Sequence, residues 1–385
     1  MADKCKEMTD KCKNITVIFV YIIVNALFVW KYVSRAQVNP VLSIIAWIFV
    51  LAIVWMAARR WGLSSESRAK WYTFALITII FSAIAFLLFR IDPLSVNVDR
   101  WSALEYFLDS LFEGSYPYGV ETHMGNHPSP FPLWHYLHIP FYWLGDMGFA
   151  LFVYLAVFLC TIWLFSRSWR TTLIPLLLLM LSPAYWWEVV VRSDGLGNAM
   201  LIFCVILWME HRQCSFQNHL LEVSVLCGMV AMTRLSAFVP FAIYVARSFL
   251  RMSIYQQLAS FSIILAIVLL FFSPYVFWNT ETWVFFSCNP LMTQTQLGSP
   301  LILIVMMAIA FWLIIKHNNS FIRYTNSTAC FLFIFFLSAI VSSHVVCNAD
   351  TPWMEDASFD ISYLTLSLPY CLLAIALNNQ PISYR

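Results

Sequence analysis

Charged residues in this chain are confined to short stretches between apolar runs long enough to cross a bilayer. Asp, Glu, Lys and Arg make up 11% of the 385 residues, 61% are hydrophobic, and the mean hydropathy is +0.75. Soluble domains carry about 25% charged residues, so the composition excludes a water-soluble protein. A bilayer core takes about 20 apolar residues per helix. A transmembrane barrel would need alternating apolar and polar residues, and runs such as residues 176–181, Leu-Leu-Leu-Leu-Met-Leu, do not alternate. The sequence therefore predicts an all-α, polytopic transmembrane helical bundle. Its spans fall at about 15–31, 38–58, 71–90, 149–166, 171–188, 195–210, 219–233, 236–250, 257–277, 299–316, 321–345 and 361–378, about 12 spans in one integral-membrane domain over 1–385. Within it we distinguish an N-terminal hairpin (15–58), a core (71–250) holding a large loop (91–148), and C-terminal spans (257–378). The first apolar run follows basic residues but lacks a small-residue cleavage site, which reads as a retained anchor.

With the N-terminus cytoplasmic, only Lys31, Arg35, Arg90, Arg100, Arg192 and Arg234 of the 22 basic residues face outward. That bias has the sign of the positive-inside rule, with Lys31 and Arg35 in the first hairpin as its weak spot. The acids run the other way: Asp3, Glu7, Asp10, Glu66, Glu210 and Glu222 lie inside and the rest outside. Either the outer face has a task that needs carboxylates, or its loops are simply longer. A net charge of +2, without a basic cluster beyond the lysine-rich N-terminus, gives no reason to expect nucleic acid. The ten cysteines are scattered without metal spacing, and Cys5 with Cys12 supplies half a zinc site at most.

The outer loop 91–148 gathers Asp92, Asp99, Glu105, Asp109, Glu113, Glu121, His123 and His127. Ionisable groups concentrated at one place in a membrane protein mark a functional site. Residues 101–113 have helical period: Trp101, Leu104, Leu108 and Leu111 share one face, and Glu105, Asp109 and Glu113 another. This predicts a juxtamembrane helix opened by a Ser102/Glu105 capping box. The His-rich run 133–144 is too short to span and reads as a second juxtamembrane or re-entrant helix. Ser-Pro pairs at 129–130, 182–183, 273–274 and 299–300 mark helix ends on the outer rim.

Four constellations in these loops have chemical potential. Asp99, in Asn97-Val-Asp99-Arg100-Trp101, suits a general base on an incoming hydroxyl or a helix cap. Glu121, His123 and His127, in a Pro/Gly-framed loop, suit binding of phosphate, metal or sugar hydroxyls, or simply hydrogen-bond within the loop. Asp194 either caps the span that follows it or contacts substrate, with Arg192 on a phosphate. Arg234, between two short spans, needs a partner, a lipid phosphate among them, or snorkels to headgroups. A looser group comprises Trp278, Glu281 and Trp283 in one loop and Trp353, Glu355, Asp356 and Asp360 in another; most of its aromatics read as interfacial belt residues.

The outer loop opening on Asp99, the amphipathic helix after it, Tyr116-Pro-Tyr118, the Ser129–Gly145 stretch, the Leu-Ser-Pro…Arg192-Ser-Asp194 element and Thr233-Arg234 together resemble the GT-C superfamily of polytopic glycosyltransferases, most closely a bacterial mannosyltransferase-like branch. The resemblance covers roughly 90–250. It implies inverting transfer of a sugar from a polyprenyl-phosphate-linked donor to a hydroxyl of a glycan, lipid or protein acceptor, on the outer face of a bacterial plasma membrane. Asp99 would be the general base, and Arg100, Glu121, His123, His127, Arg192, Asp194 and Arg234 would contact substrate. No metal ligand is assigned; a divalent metal (Mg or Mn) is admitted and no other cofactor implied. Two features depart from the family pattern. The loop follows the third predicted span rather than the first, and Asp99 is followed by Arg100 instead of a second acid. A transporter or flippase for a lipid-linked glycan is the rival reading; transporters place charges near the midplane of broken, repeated helices, whereas here charges sit at span ends, Glu188 at the rim included.

Overall fold

The computed structural model describes residues 2–294, 299–316, 320–347, 353 and 360–379, with side chains described from residue 15 onward and, in the segment ending at 347, as far as 345. Among these residues every regular element is a helix. In chain order the α-helices are α1 (Ala2–Arg35), α2 (Pro40–Ala57), α3 (Glu66–Arg90), α4 (Arg100–Glu113), α5 (Pro132–Trp143), α6 (Ala150–Ser166), α7 (Trp169–Met180) and α8 (Pro183–Val190). They continue with α9 (Asp194–Arg212), α10 (Leu220–Ala231), α11 (Leu235–Leu250), α12 (Ile254–Val276), α13 (Pro290–Gln294), α14 (Pro300–Lys316), α15 (Phe321–Cys347) and α16 (Leu368–Asn378). Each of the twelve predicted segments falls on one of these helices, on a helix pair or, for 361–378, on the 3-10 helix Ile361–Ser367 followed by α16. Seven helical segments are long and apolar enough to cross a membrane unaided, or eight if the bent pair α7–α8 is one span; α10, α11 and α14 are apolar but shorter. This is a multi-pass membrane protein. Helix α2 shows why: Leu42, Ile45 and Phe49 are each more than half exposed, an apolar surface that water does not tolerate at this extent.

The chain forms two compact units. One comprises Met1–Ala83, Phe158–Glu188 and Gly298–Arg385; the other comprises Ile84–Val157 and Val189–Leu297.

In the first unit the predicted span 171–188 is broken. Helices α7 and α8 meet at 69° across Leu181 and Ser182. Proline at 183 supplies no N–H and opens a helix more readily than it continues one. A break inside an apolar environment exposes backbone groups that must find partners, and here they do. Tyr21 donates to Leu178 O at 2.7 Å, Trp47 Nε1 to Leu181 O at 2.7 Å and Trp186 Nε1 to Met180 O at 2.8 Å. Asn25 Oδ1 accepts from Ser182 Oγ and from the Ala184 amide. Two charges expected at the outer surface are instead enclosed. Lys31 is 3% exposed within α1 and Glu188 is 1% exposed within α8, and the neighbouring rings of Tyr32 and Trp187 stack at 3.5 Å.

In the second unit α4 starts three residues earlier than its predicted capping box requires. Asp99 holds the N-cap position, Ser102 lies inside the first turn, and no Ser102/Glu105 box forms. The buried stripe is Ser102, Ala103, Leu104, Phe107, Leu108 and Ser110, so Leu104 and Leu108 of the predicted face are buried, Trp101 and Leu111 only partly, and the stripe centres on Phe107. The reason is that protein covers this helix: Phe107 stacks on His135 at 3.6 Å and meets Tyr118 edge-on. Helix α4 closes on Gly114, whose φ of +76° is a left-handed cap conformation. Of the Ser-Pro prolines, Pro183 and Pro300 start helices, Pro130 precedes α5, and Pro274 sits in the last turn of α12.

Candidate functional site

Asp99 is half-buried, and its side chain makes no capping bond to α4. It is held from the loop that follows: Asn126 Nδ2 donates to Asp99 Oδ2 at 2.7 Å and Thr122 Oγ1 to the same oxygen at 3.0 Å. The loop is shaped for this. Thr122 and Asn126 are bridged by a 2.8 Å backbone bond, and Gly125 turns between them at φ +79°, where a side chain would be strained. Oδ1 accepts no hydrogen bond among the described residues. His123, predicted here, joins the arrangement indirectly, with Nδ1 on Ser102 Oγ at 2.7 Å and Nε2 facing Val96 O at 3.3 Å. Thr122 and Asn126 were not anticipated; nothing in residue spacing distinguishes them from ordinary loop polars.

Arg100, the next residue, reaches the start of α9. Its Nη1 donates to Ser193 Oγ at 2.9 Å, and a Cβ added at Gly195 would come within 2.7 Å of that nitrogen. Glycine at 195 is therefore what lets the guanidinium lie against the helix terminus. Ser193, not Asp194, caps α9, accepting from the Gly195 amide. Asp194 sits in the first turn and is 2% exposed. Its Oδ2 accepts from Arg234 Nη2 at 2.6 Å, Arg234 Nε at 2.9 Å and Trp134 Nε1 at 2.6 Å. Charge-assisted bonds of this length are strong, so Arg234, predicted to need a partner, has one within the protein. Behind Trp134, His138 Nδ1 donates to Trp134 O at 2.7 Å, and its Nε2 meets the Tyr154 hydroxyl. The Tyr154 ring stacks on Trp134 and lies against Gly197, where an added Cβ would be 2.2 Å from the ring. Trp134, His138 and Tyr154 were missed as site residues, although the His-rich run 133–144 carried a signal.

Arg192 points elsewhere. At φ +49° it occupies a left-handed conformation in the turn between α8 and α9, one that is uncommon for a residue with a side chain. Its Nη2 donates to Leu88 O at 2.7 Å and Ile91 O at 3.0 Å and lies 3.4 Å from Asp146. Burial lowers the pKa of this guanidinium, and the nearby Asp146 carboxylate opposes the shift. Asp146 also accepts from the Gly148 amide and from Trp101 Nε1. Glu105 belongs to the same group. Burial, and then the charges of Asp109 and Asp146, push its carboxyl up from 4.5 to about 7, with Arg192 opposing. Asp109 accepts from Tyr142 at 2.7 Å.

The remaining predicted residues lie apart from this core. Glu121 and His127 are exposed, His127 with Nδ1 facing Val120 O. Trp278 packs in an aromatic cluster with Tyr116 and Tyr275, whereas Glu281 and Trp283 are exposed. Asp360 caps a short 3-10 turn through the Ser362 amide, and Trp353 lies against His344. Glu355 and Asp356 fall outside the described residues, as do the side chains of Cys5 and Cys12.

An apolar groove of about 480 Å³ borders this site. Leu133, Leu137, Leu201, Val205, Trp208 and Met229 help to line it, together with Trp134 and Thr233. Trp134 bonds Asp194, and Thr233 directly precedes Arg234. The second unit thus sets an apolar groove beside a compact set of charges: Asp99 held through one oxygen, a guanidinium at a helix terminus, and two further arginines paired to Asp194 and Asp146, with Asp194 Oδ1 and Glu105 Oε2 also buried without a hydrogen-bond partner among the described residues. No known protein family, curated protein or solved structure matches this chain.

Proposed function

We propose that this protein is a membrane glycosyltransferase that moves a sugar from a polyprenyl-phosphate-linked donor to an acceptor hydroxyl, with Asp99 as general base. The observation that carries the reading is the Asp99 carboxylate. It is fixed through Oδ2 by Thr122 and Asn126 and leaves Oδ1 unbonded, while the next residue in the chain, Arg100, reaches Ser193. A general base must be positioned first and then be within reach of the proton it takes. In the proposed step the acceptor hydroxyl oxygen attacks the anomeric carbon while Asp99 Oδ1 takes its proton. The bond from that carbon to the phosphate oxygen breaks, and the lipid phosphate leaves with inversion of the anomeric centre.

The departing phosphate needs positive charge aimed at it. Arg100, set against the N-terminal turn of α9, combines a guanidinium with the positive end of a helix dipole. Arg192 and Arg234 act behind it, since both are already bonded to carboxylates. The apolar groove lined in part by Trp134 and Thr233 suits a lipid chain whose head lies at the charges. We place the site on the outer face of a bacterial plasma membrane, in a GT-C-like bundle of about 12 spans. A divalent cation, Mg²⁺ or Mn²⁺, fits the reading where the donor phosphate supplies oxygen ligands.

The test is transfer by purified protein in lipid nanodiscs, using polyprenyl-phosphate sugar. Asp99→Asn in a folded protein is expected to lower the transfer rate by at least about 100-fold, the contribution of a positioned general base. Retention of substantial turnover removes Asp99 from that role. One observation favours the rival, a transporter or flippase for a lipid-linked glycan: the helix broken at 69° between α7 and α8, a feature of transporters. Movement of the lipid-linked sugar across liposomes without covalent transfer would decide for that reading.

A further inference from the structure

The C-terminal end of α9 holds a second cluster of donors with different chemistry. Cys214, His219 and Glu222 each offer one ligand atom, and the three atoms lie within 4.8 Å of one another. Helix α9 ends in a left-handed cap at Gln213, with φ +52°. The Cys214 amide then bonds back to Met209 O, and the Asn218 and His219 amides both bond to Ser215 O. This knuckle turns Cys214 toward the first turn of α10, where His219 and Glu222 sit three residues apart on one helical face. The loop is anchored: Phe216 is 1% exposed and packs on Phe249, and Gln217 Nε2 donates to Ser248 O at 2.6 Å. Within it the His219 Nδ1 atom is buried and has no hydrogen-bond partner. A buried, unsatisfied ring nitrogen beside a thiol and a carboxylate calls for a ligand.

We propose that Cys214, His219 and Glu222 bind a borderline-soft divalent cation, zinc above all, with water in the fourth position. The donor set has one thiolate, one imidazole and one carboxylate, all zinc ligands, and three protein ligands plus water is an open tetrahedral site. Zinc bonds of about 2.0–2.3 Å hold tetrahedral donors about 3.3–3.8 Å apart. Closing the cluster therefore takes about 1 Å, which the exposed Glu222 side chain supplies by rotation. On binding, the Cys214 thiol releases its proton to water and the His219 imidazole binds neutral. Helix α9 has 19 residues and is about 28 Å long at 1.5 Å per residue, so this site is remote from Asp194 and takes no part in the proposed transfer. Its effect is mechanical: the cation staples the α9–α10 hairpin, and both helices line the apolar groove.

Full-length protein in detergent, stripped with a chelator and then titrated with Zn²⁺ or Co²⁺, tests this directly. We expect one zinc per chain after dialysis, a rise in melting temperature with Zn²⁺, and a thiolate-to-cobalt charge-transfer band with Co²⁺. Cys214→Ser should abolish the band, and Glu222→Gln, at an exposed position that leaves the fold intact, should weaken zinc affinity by at least about tenfold. Folded wild-type protein that retains no stoichiometric zinc, a band that survives Cys214→Ser, or an affinity unchanged in Glu222→Gln overturns the proposal. These readouts do not involve glycosyl transfer and stand or fall apart from it.

Discussion

The Asp194–Arg234 pair sets the energetics of the site one residue at a time. Both members are buried, so each depends on the other to offset its lost hydration. Removing one partner of such a pair costs about 3–5 kcal/mol, because the other charge stays buried and uncompensated. Asp194→Asn is therefore expected to lower the unfolding temperature sharply in detergent, and the double replacement Asp194→Leu with Arg234→Met to recover most of the loss. Glu105 gives a separate signature. Its folded pKa of about 7 lies above the ordinary 4.5, so the folded state holds this proton more tightly than the unfolded chain. The stability it contributes is full below pH 4.5 and is lost as pH rises to about 7. Denaturation curves across that window should show the fall in wild-type protein and lack it in Glu105→Gln, which should be the more stable form above pH 7. The sequence exposed the charged members of this site but not their pairing. Asp99, Arg100, Asp194 and Arg234 stand out because charges are rare in this chain. Thr122, Asn126, Trp134 and Tyr154 do not, since a threonine or an aromatic in such a sequence is ordinary until the fold brings it to a carboxylate. Arg192 was read as a phosphate ligand because spacing alone does not reveal that Leu88 O, Ile91 O and Asp146 wait for it.

At the scale of elements, α9 is positioned by its glycines. Gly195 admits Arg100 and Gly197 admits the Tyr154 ring, each at a distance that leaves no room for a methyl group. Gly197→Ala should force Tyr154 from its place between Trp134 and His138, costing about 1–3 kcal/mol as overpacking does, with a matching fall in melting temperature. A melting temperature equal to wild type would show that α9 is free to shift away. Helix existence was legible at this scale: all twelve apolar segments fall on helices, because long apolar runs leave the backbone few other ways to satisfy its hydrogen bonds in lipid. The break between α7 and α8 was not legible, although Ser182-Pro183 marked the place. Hydropathy averages over the break, and the side chains that cap it, Asn25, Tyr21 and Trp47, come from residues more than 130 positions away. The stripe on α4 was legible only in Leu104 and Leu108, for a related reason: periodicity finds an apolar face, while burial depends on which neighbours arrive.

For the molecule as a whole, the second unit has two chemically distinct ends. Glu121 lies in the Asp99 loop and Asn218 in the Cys214 knuckle, both exposed, and α9 separates their surroundings by about 28 Å, close to the thickness of a bilayer core of about 30 Å. Cysteines introduced as Glu121→Cys and Asn218→Cys should react with a membrane-impermeant maleimide from opposite sides of sealed vesicles; labelling from one side would refute the arrangement. The two units draw on interleaved stretches of chain, an organisation that no hydropathy profile reveals, because it depends on which helices pack rather than on how apolar each one is.

The bend between α7 and α8 has a consequence for where the pair can be housed. Twelve residues of α7 and eight of α8 give lengths of about 18 and 12 Å, and at 69° the second contributes only about a third of its length along the first. The pair reaches about 22 Å, short of a bilayer core of about 30 Å. Residues Thr171–Leu179 of α7 are all buried, so protein rather than lipid surrounds the short pair, and the shortfall is met inside the fold.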